Sequence, residues 1–287
     1  MTAVSSSRRI SDAAGAREPI LVVDGLTKRF ETPEGPLLAV DRMSFTVAPG
    51  EFLAVIGPSG CGKSTLFNVI GGLLDQYDGR ITVAGERVSG PHAAIGMVFQ
   101  EESTFPWRTV IENVAFPLEV AGMEKIRRYE QARHFIKLVG LDGFENRYPS
   151  ELSGGMRQRV SMARTLASQP KILLMDEPFA ALDEQTRLLL GDKVLQIQQQ
   201  LKQTTLLITH NITEAVQLAD RILVMTYRPG QLKRMVKIEL PRPRSSEIVS
   251  SEAFGRYVAQ IWNDLREEAS RGMLDDETHL RAGAHPS

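Results

Sequence analysis

Gly57-Pro58-Ser59-Gly60-Cys61-Gly62-Lys63-Ser64 matches the spacing G-x-x-x-x-G-K-[ST]. Glycines at these places let backbone N–H groups turn inward toward phosphate oxygens, where a Cβ would block the approach. Lys63 then supplies a point charge in reach of β- and γ-phosphates, and Ser64 a hydroxyl for Mg²⁺. A second group follows the apolar run Ile172-Leu173-Leu174-Met175, where Asp176 and Glu177 stand just before Pro178. Asp176, at the end of a buried strand, is suited to hold Mg²⁺, often through water. Glu177 beside it is suited to polarise a water that attacks a γ-phosphate. His210 comes directly after a third apolar run, residues 205–209. In a parallel sheet that puts it on the same edge as Ser64 and Asp176, where ligands of open α/β sheets bind.

The elements that must position these groups are legible around them. Residues 52–56 (FLAVI) predict a buried strand before the glycine loop, and residues 63–70 a helix after it that stops at Gly71-Gly72. Its positive N-terminal end faces the anion. Further strands are expected at residues 20–23, extended over 26–30, and at 44–47, 80–84, 95–99, 172–175, 205–208 and 221–225. Helices are expected at 184–203 and 213–218. Strands alternating with helices argue for an α/β protein whose mostly parallel sheet is covered on both faces. Helical periods at 118–120, 130–138 and 157–166 mark an insertion over about residues 101–165. Phe254, Tyr257, Val258, Ile261, Trp262 and Leu265 form one apolar helical stripe that could dock on this subunit, on a partner or on a membrane surface, and docking within the protein is the simplest expectation. Glu267, Glu268, Asp275 and Asp276 beside it disfavour an anionic membrane surface.

Composition narrows the classes. With 287 residues the chain has room for one large domain or two modest ones. No apolar run approaches the ~20 residues of a membrane span. Lys and Arg total 34 against 35 Asp and Glu, net charge −1, which argues against a protein held to nucleic acid by phosphate contacts. The single cysteine, Cys61, excludes an internal disulfide and fits a reducing compartment. Arg8-Arg9 is followed by Ser11-Asp12-Ala13-Ala14 rather than by an apolar segment, so no export signal is read there. Residues 1–17 read as a disordered polar tail and the chain is expected in the cytoplasm.

Leu152-Ser153-Gly154-Gly155-Met156-Arg157-Gln158 adds a further motif, with Ser153 lying 23 residues before Asp176. Together with the glycine loop and the strand-end acids, this resembles the signature of an ABC-transporter ATP-binding subunit, over roughly residues 20–240. The resemblance implies an α/β P-loop NTPase cassette with a mostly parallel sheet core, an antiparallel β subdomain and a helical subdomain insertion. It sets the ATP-binding domain at 18–245, with an amphipathic helix and tail at 246–287. ATP and Mg²⁺ are the implied cofactors. Implied nucleotide contacts are Phe30, by stacking on adenine, residues Gly57, Pro58, Ser59, Gly60, Cys61, Gly62, Lys63, Ser64 and Thr65, and, toward ATP on the opposite subunit, Ser153, Gly154 and Gly155. Glu177, His210 and Gln100 take catalytic roles, and Ser64, Gln100 and Asp176 the metal. Ala181-Leu182-Asp183 resembles a loop that communicates across a head-to-tail homodimer. The implied partners are two integral-membrane permease subunits and, indirectly, a solute-binding protein, on the cytoplasmic side of the membrane.

Two positions depart from the family pattern: Met156 stands where glutamine is common and Asn211 where aspartate is usual. Neither removes a phosphate, metal or water contact. Residues 105–114, beginning Phe105-Pro106-Trp107, resemble the region that receives a permease coupling helix. With Met225-Thr226-Tyr227-Arg228-Pro229-Gly230 and Leu240-Pro241-Arg242-Pro243-Arg244, they resemble nitrate, sulfonate and taurine importers. The other readings weighed are a buried aromatic for Trp107 and a solvated linker for residues 240–244. For the whole chain they are a soluble ABC ATPase of a non-transport complex, an ABC transporter of another substrate class, and a P-loop kinase or GTPase. The last lacks an N-K-x-D motif and leaves the Leu152–Gln158 segment unexplained. The Cys61 thiol is expected beside bound nucleotide.

Overall fold

The computed structural model describes residues 18–33, 35–100, 103–180 and 182–282, with side chains as far as Gly272. The expected tail 1–17 lies outside these residues, as do Ala181 and the first two residues of the insertion. Strands β1 (Leu21–Thr32) and β2 (Gly35–Val47) pair as an antiparallel hairpin. With β4 (Asp78–Val83) and β5 (Glu86–Arg87) they form a sheet in the order β2-β1-β4-β5. The break read at Gly25 is a register shift within β1, where Gly25 takes φ +62°.

The second sheet carries the predicted parallel core. Its order is β10 (Leu232–Lys237), β9 (Arg221–Met225), β3 (Phe52–Ile56), β8 (Thr204–Ile208), β7 (Ile172–Asp176), β6 (Ile95–Val98). Every pairing is parallel except β10 on β9. All five residues of β3 are buried. Phe52, Ala54 and Ile56 enter one apolar cluster, Leu53 and Val55 another on the opposite face. Helix α1 (Lys63–Ile70) packs Leu66, Phe67, Val69 and Ile70 into the second cluster. Strand β10 escaped the sequence reading because it is an edge strand with one buried residue, Val236, among lysines and arginine.

The insertion holds α2 (Val110–Val120), α3 (Lys125–Leu138) and α4 (Gly154–Ala167), packed on one another. Each begins earlier than its apolar period suggested. Pro117 hid the first two turns of α2, which start from a capping box of Thr109 and Glu112. Asn113, fully buried, ties the preceding loop down: Nδ2 donates to the carbonyls of Phe105, Arg108 and Thr109, and Oδ1 accepts from the Phe105 N–H. That clasp presents Trp107, which is 72% exposed, so the buried-aromatic reading does not hold.

Helix α5 (Glu184–Leu201) precedes β8, and α6 (Ile212–Leu218) follows it. The final helix α7 (Glu252–Ala282) docks on α6 and β9 through Phe254 and Ile261. Trp262 leaves the expected stripe and is 58% exposed. Glu268, read as a solvated flank, is buried and bridges to Lys233 at 2.9 Å. Residues 241–243 are exposed, as a solvated linker would be, but the stretch is pinned at both ends. Arg244 is buried, and its guanidinium donates to the carbonyls of Ala219, Ile238 and Leu240. Burial lowers its pKa to about 10.

Replacing Asn113 by alanine removes the acceptor of the Phe105 N–H and the donor to the Arg108 carbonyl, while the Phe105 and Thr109 carbonyls keep the N–H groups of Arg108 and Asn113. Asn113→Ala is expected to lower the unfolding free energy by about 2–4 kcal/mol in urea titration; a loss below about 0.5 kcal/mol would contradict the clasp.

Candidate nucleotide site

Helix α1 has no side-chain N-cap. Gly62 occupies that position with φ +93°, and a Cβ there would stand 2.7 Å from the Ala39 carbonyl oxygen. The uncapped first turn and the preceding loop open into a cleft of about 330 Å³. Phe30, Leu37, Ser59, Gly60, Gly62, Lys63, Ser64, Thr65, Glu177 and Arg228 line it. Phe30 is half-buried on β1, with the Lys28 ammonium 5.0 Å from its ring centre.

Lys63 is buried, and its ammonium donates to the carbonyls of Gly57 at 3.0 Å and Pro58 at 2.9 Å. Carbonyls rather than a carboxylate hold it, so its charge remains for an anion. Cys61 differs from expectation. Its side chain is fully buried in the apolar cluster beneath the loop and does not line the cleft. Burial raises its thiol pKa, although the Lys63 ammonium pulls the other way.

Strand β7 delivers Asp176 beneath the helix start. Burial pushes its carboxyl upward; the Ser64 hydroxyl bonded to it opposes this, the Glu177 charge reinforces it, and the Lys63 charge opposes it. Asp176 Oδ1 is buried with no hydrogen-bond partner. An unpaired carboxylate oxygen beside a hydroxyl suits a hard cation such as Mg²⁺. Among the described residues no three His, Cys, Asp or Glu side chains gather as metal ligands.

Glu177 follows with φ +43°, a conformation rare outside glycine, and its N–H donates to the Ile208 carbonyl at 3.0 Å. This turn aims its carboxylate at the cleft, where Oε2 lies 3.0 Å from His210 Nδ1. A carboxylate can only accept, so Nδ1–H is the donor. Strand β8 lies between β3 and β7, and therefore His210 leaves the sheet between the glycine loop and Glu177. Asn211 caps α6 by accepting from the Glu214 N–H at 3.0 Å, the same task an aspartate performs.

Two expected groups do not converge on this cleft within the chain. Gln100, after β6, is exposed on the same sheet edge but outside the lining. Ser153, Gly154 and Gly155 line a separate cleft of about 660 Å³ at the N-terminus of α4, with Leu182, Asp183 and Arg159. Two residues had no role in the sequence reading. Arg228 arrives from the turn between β9 and β10, where only tertiary structure brings it to the loop. Glu214 is buried behind His210, accepts from Thr209 Oγ1 at 2.5 Å, and keeps Oε1 unpartnered. Burial pushes its carboxyl up to about 7.

A glycine loop between β3 and α1 and an acid pair at the end of β7 define a P-loop α/β nucleoside triphosphatase. The description "ABC transporter" matches residues 40–180 by family model. An uncharacterized ABC transporter ATP-binding protein of Methanocaldococcus jannaschii is 49% identical over 88% of this chain and 94% of its own. An aliphatic sulfonates import ATP-binding protein of Bacillus cereus is 41% identical over 88% of this chain and 96% of its own. A nitrate import ATP-binding protein of Synechocystis is 42% identical over 86% and 95%. A dimeric ATP-binding cassette solved in a post-hydrolysis state with ADP and Pi superposes with TM-score 0.68 at 30% identity, covering 77% of this chain and all of that one. The cbiO1 cassette of Clostridium perfringens gives 0.71 at 25% identity over 84% and 95%. The chain belongs to the ABC transporter family, as an ATP-hydrolysing ATP-binding subunit.

Folding raises the Glu214 carboxyl from an ordinary 4.5 to about 7, so the folded state holds this proton more tightly. Its contribution to stability is fully present below the unfolded value and lost as pH rises through about 7. Glu214→Gln, which keeps an acceptor for Thr209 and does not titrate, is expected to gain on the wild type between pH 5 and 8, by on the order of 2–3 kcal/mol in urea unfolding. A stability difference that does not vary with pH would contradict this placement.

Proposed function

We propose that this chain is the energy-coupling subunit of an importer for small oxyanionic solutes of the sulfonate, nitrate or taurine type. The observation that carries the import reading is the 41–42% identity, over most of each chain, to the sulfonate and nitrate import subunits. Exposed Trp107, presented by the Asn113 clasp, supports the segment around residues 105–114 as the seat of a permease coupling helix. The working unit is a head-to-tail homodimer on the cytoplasmic side of the membrane, bound to two permease subunits and served indirectly by a solute-binding protein. Its cassette spans residues 18–245, and residues 246–287 add the C-terminal helix and tail. Among the described residues no helix is long and apolar enough to cross a membrane, and in this reading translocation belongs to the partner chains.

Phe30 stacks on adenine, while the N–H groups of residues 57–65 and the Lys63 ammonium receive the phosphate chain. Ser153, Gly154 and Gly155 of one subunit face the γ-phosphate held by the other, which accounts for their standing in a separate cleft. Ser64, Asp176 and Gln100 would hold Mg²⁺, which when bound neutralises charge on the β- and γ-phosphates. Glu177 accepts a proton from the water whose oxygen attacks the γ-phosphorus. The bond to the β–γ bridging oxygen breaks, and the electron pair leaves with ADP. His210, bonded to Glu177 at 3.0 Å, fixes the carboxylate and senses the γ-phosphate. Dimer closure on ATP drives the permease, and hydrolysis resets it.

Glu177→Gln is expected to bind ATP as the wild type does, lose turnover by about 100-fold or more, and accumulate as an ATP-bound dimer in size-exclusion chromatography. Normal turnover in that variant would remove Glu177 from the base role. For the import reading, permease and binding protein reconstituted with this subunit should take up an alkanesulfonate, nitrate or taurine only with ATP. Stable association with a soluble complex, and none with a permease under ATP and vanadate, would overturn it.

A further inference from the structure

The turn between β9 and β10, residues 226–231, belongs to none of the elements that ordinarily frame a phosphate loop, yet it is built against this one. The Gly230 N–H donates to the Ala39 carbonyl and the Asp41 N–H to the Gly230 carbonyl, each at 3.0 Å, joining the turn to β2. Gly230 presses on the loop so closely that a Cβ there would stand 2.2 Å from the Cys61 carbonyl oxygen. Thr226 braces the turn, its hydroxyl donating to the Pro229 carbonyl at 2.8 Å and accepting from the Gln231 N–H at 2.9 Å. Behind it, the Tyr227 N–H donates to buried Glu268 of α7 at 3.0 Å, and Gly272 of α7 leaves room for the Tyr227 ring.

This construction holds Arg228 over the mouth of the cleft. Its Nε donates to the Gly60 carbonyl at 3.0 Å, and Nη2 passes 2.8 Å from where a Gly60 Cβ would be. Gly60, at φ +71°, admits the guanidinium because it has no side chain. Among the described residues no carboxylate pairs with Arg228, and neither terminal nitrogen has a protein hydrogen-bond partner. The side chain lines the cleft together with Ser59, Lys63 and Ser64. A guanidinium fixed by one nitrogen, with a free fork facing a phosphate cradle, has the geometry of an anion clamp.

We propose that Arg228 is a nucleotide-binding residue that contacts the phosphate chain of ATP, supplied by a turn which β2 and the C-terminal helix hold in place. The proposal rests on the ATP site described above and adds to it a cation from outside the glycine loop. An exposed charge-assisted bond of this kind is worth about tenfold in affinity. The test is titration of the full-length chain with Mg²⁺ and a non-hydrolysable ATP analogue by calorimetry, comparing wild type with Arg228→Ala, Arg228→Gln and Arg228→Lys. The alanine and glutamine variants are expected to bind about tenfold more weakly, and lysine, which keeps the charge but not the fork, about threefold more weakly. Glutamine retains a neutral donor for the Gly60 carbonyl, so it separates bracing of the loop from contact with phosphate. Affinity within twofold of wild type in Arg228→Gln or Arg228→Ala would overturn the proposal while leaving the ATP site standing. A wild-type chain that binds no analogue would overturn both.

Discussion

A buried ammonium without a carboxylate is the constraint around which this molecule is organised. Lys63 is removed from water and held by the Gly57 and Pro58 carbonyls, with the Cys61 sulfur at 3.9 Å, and by no carboxylate. Unpaired charge in such a place is costly unless something of opposite sign arrives. Nearby, Asp176 has the complementary problem: its carboxyl is pushed upward by burial, and one oxygen has no partner. Direct pairing of the two would end the tension and the function together. The fold keeps them apart by giving each its own strand, β3 leading to Lys63 and β7 ending in Asp176.

Parallel strands make that separation possible. In the order β3-β8-β7 the carboxyl ends lie on one edge, so loop, histidine and acids leave the sheet side by side. The strand faces are apolar on both sides, and the polar edge is therefore the place where chemistry can be exposed. Glu177 then needs a backbone turn at φ +43°, secured by the Ile208 carbonyl of the neighbouring strand. Strain at that residue is tolerated because the adjacent strand fixes the backbone on which it occurs.

The periphery of the fold is tied to both ends of this sheet. Arg242 bridges to Asp220 at 2.6 Å, and Asp220 accepts from the Phe52 N–H at the start of β3. Helix α7 reaches the glycine loop through Glu268, Tyr227 and the turn that carries Arg228. Acidic residues that would repel a membrane surface if solvated act here as contacts within the subunit.

Local sequence determined the parts whose physics is local. The glycine loop, the apolar strands before Gly57, Asp176 and His210, and the stripe on α7 were legible because each depends on spacing within a few residues. The beginnings of α2 and α4 were less legible, since the Thr109–Glu112 capping box, Pro117 and the Ser153 cap govern them and apolar periodicity registers none of these, while α3 opens on exposed residues with no side-chain cap. What the sequence could not determine depended on residues far apart in the chain. Strand β10 is defined by its partner rather than by its own pattern, and Cys61 turns into the core because the loop above it faces the cleft. Glu214 becomes a raised carboxyl only when α6 buries it against Thr209. Arg228 meets Gly60 across 168 residues, a contact that exists once β9 has paired with β3. Spacing selects which groups can do chemistry, while burial and strand order decide which of them meet and in what state of charge.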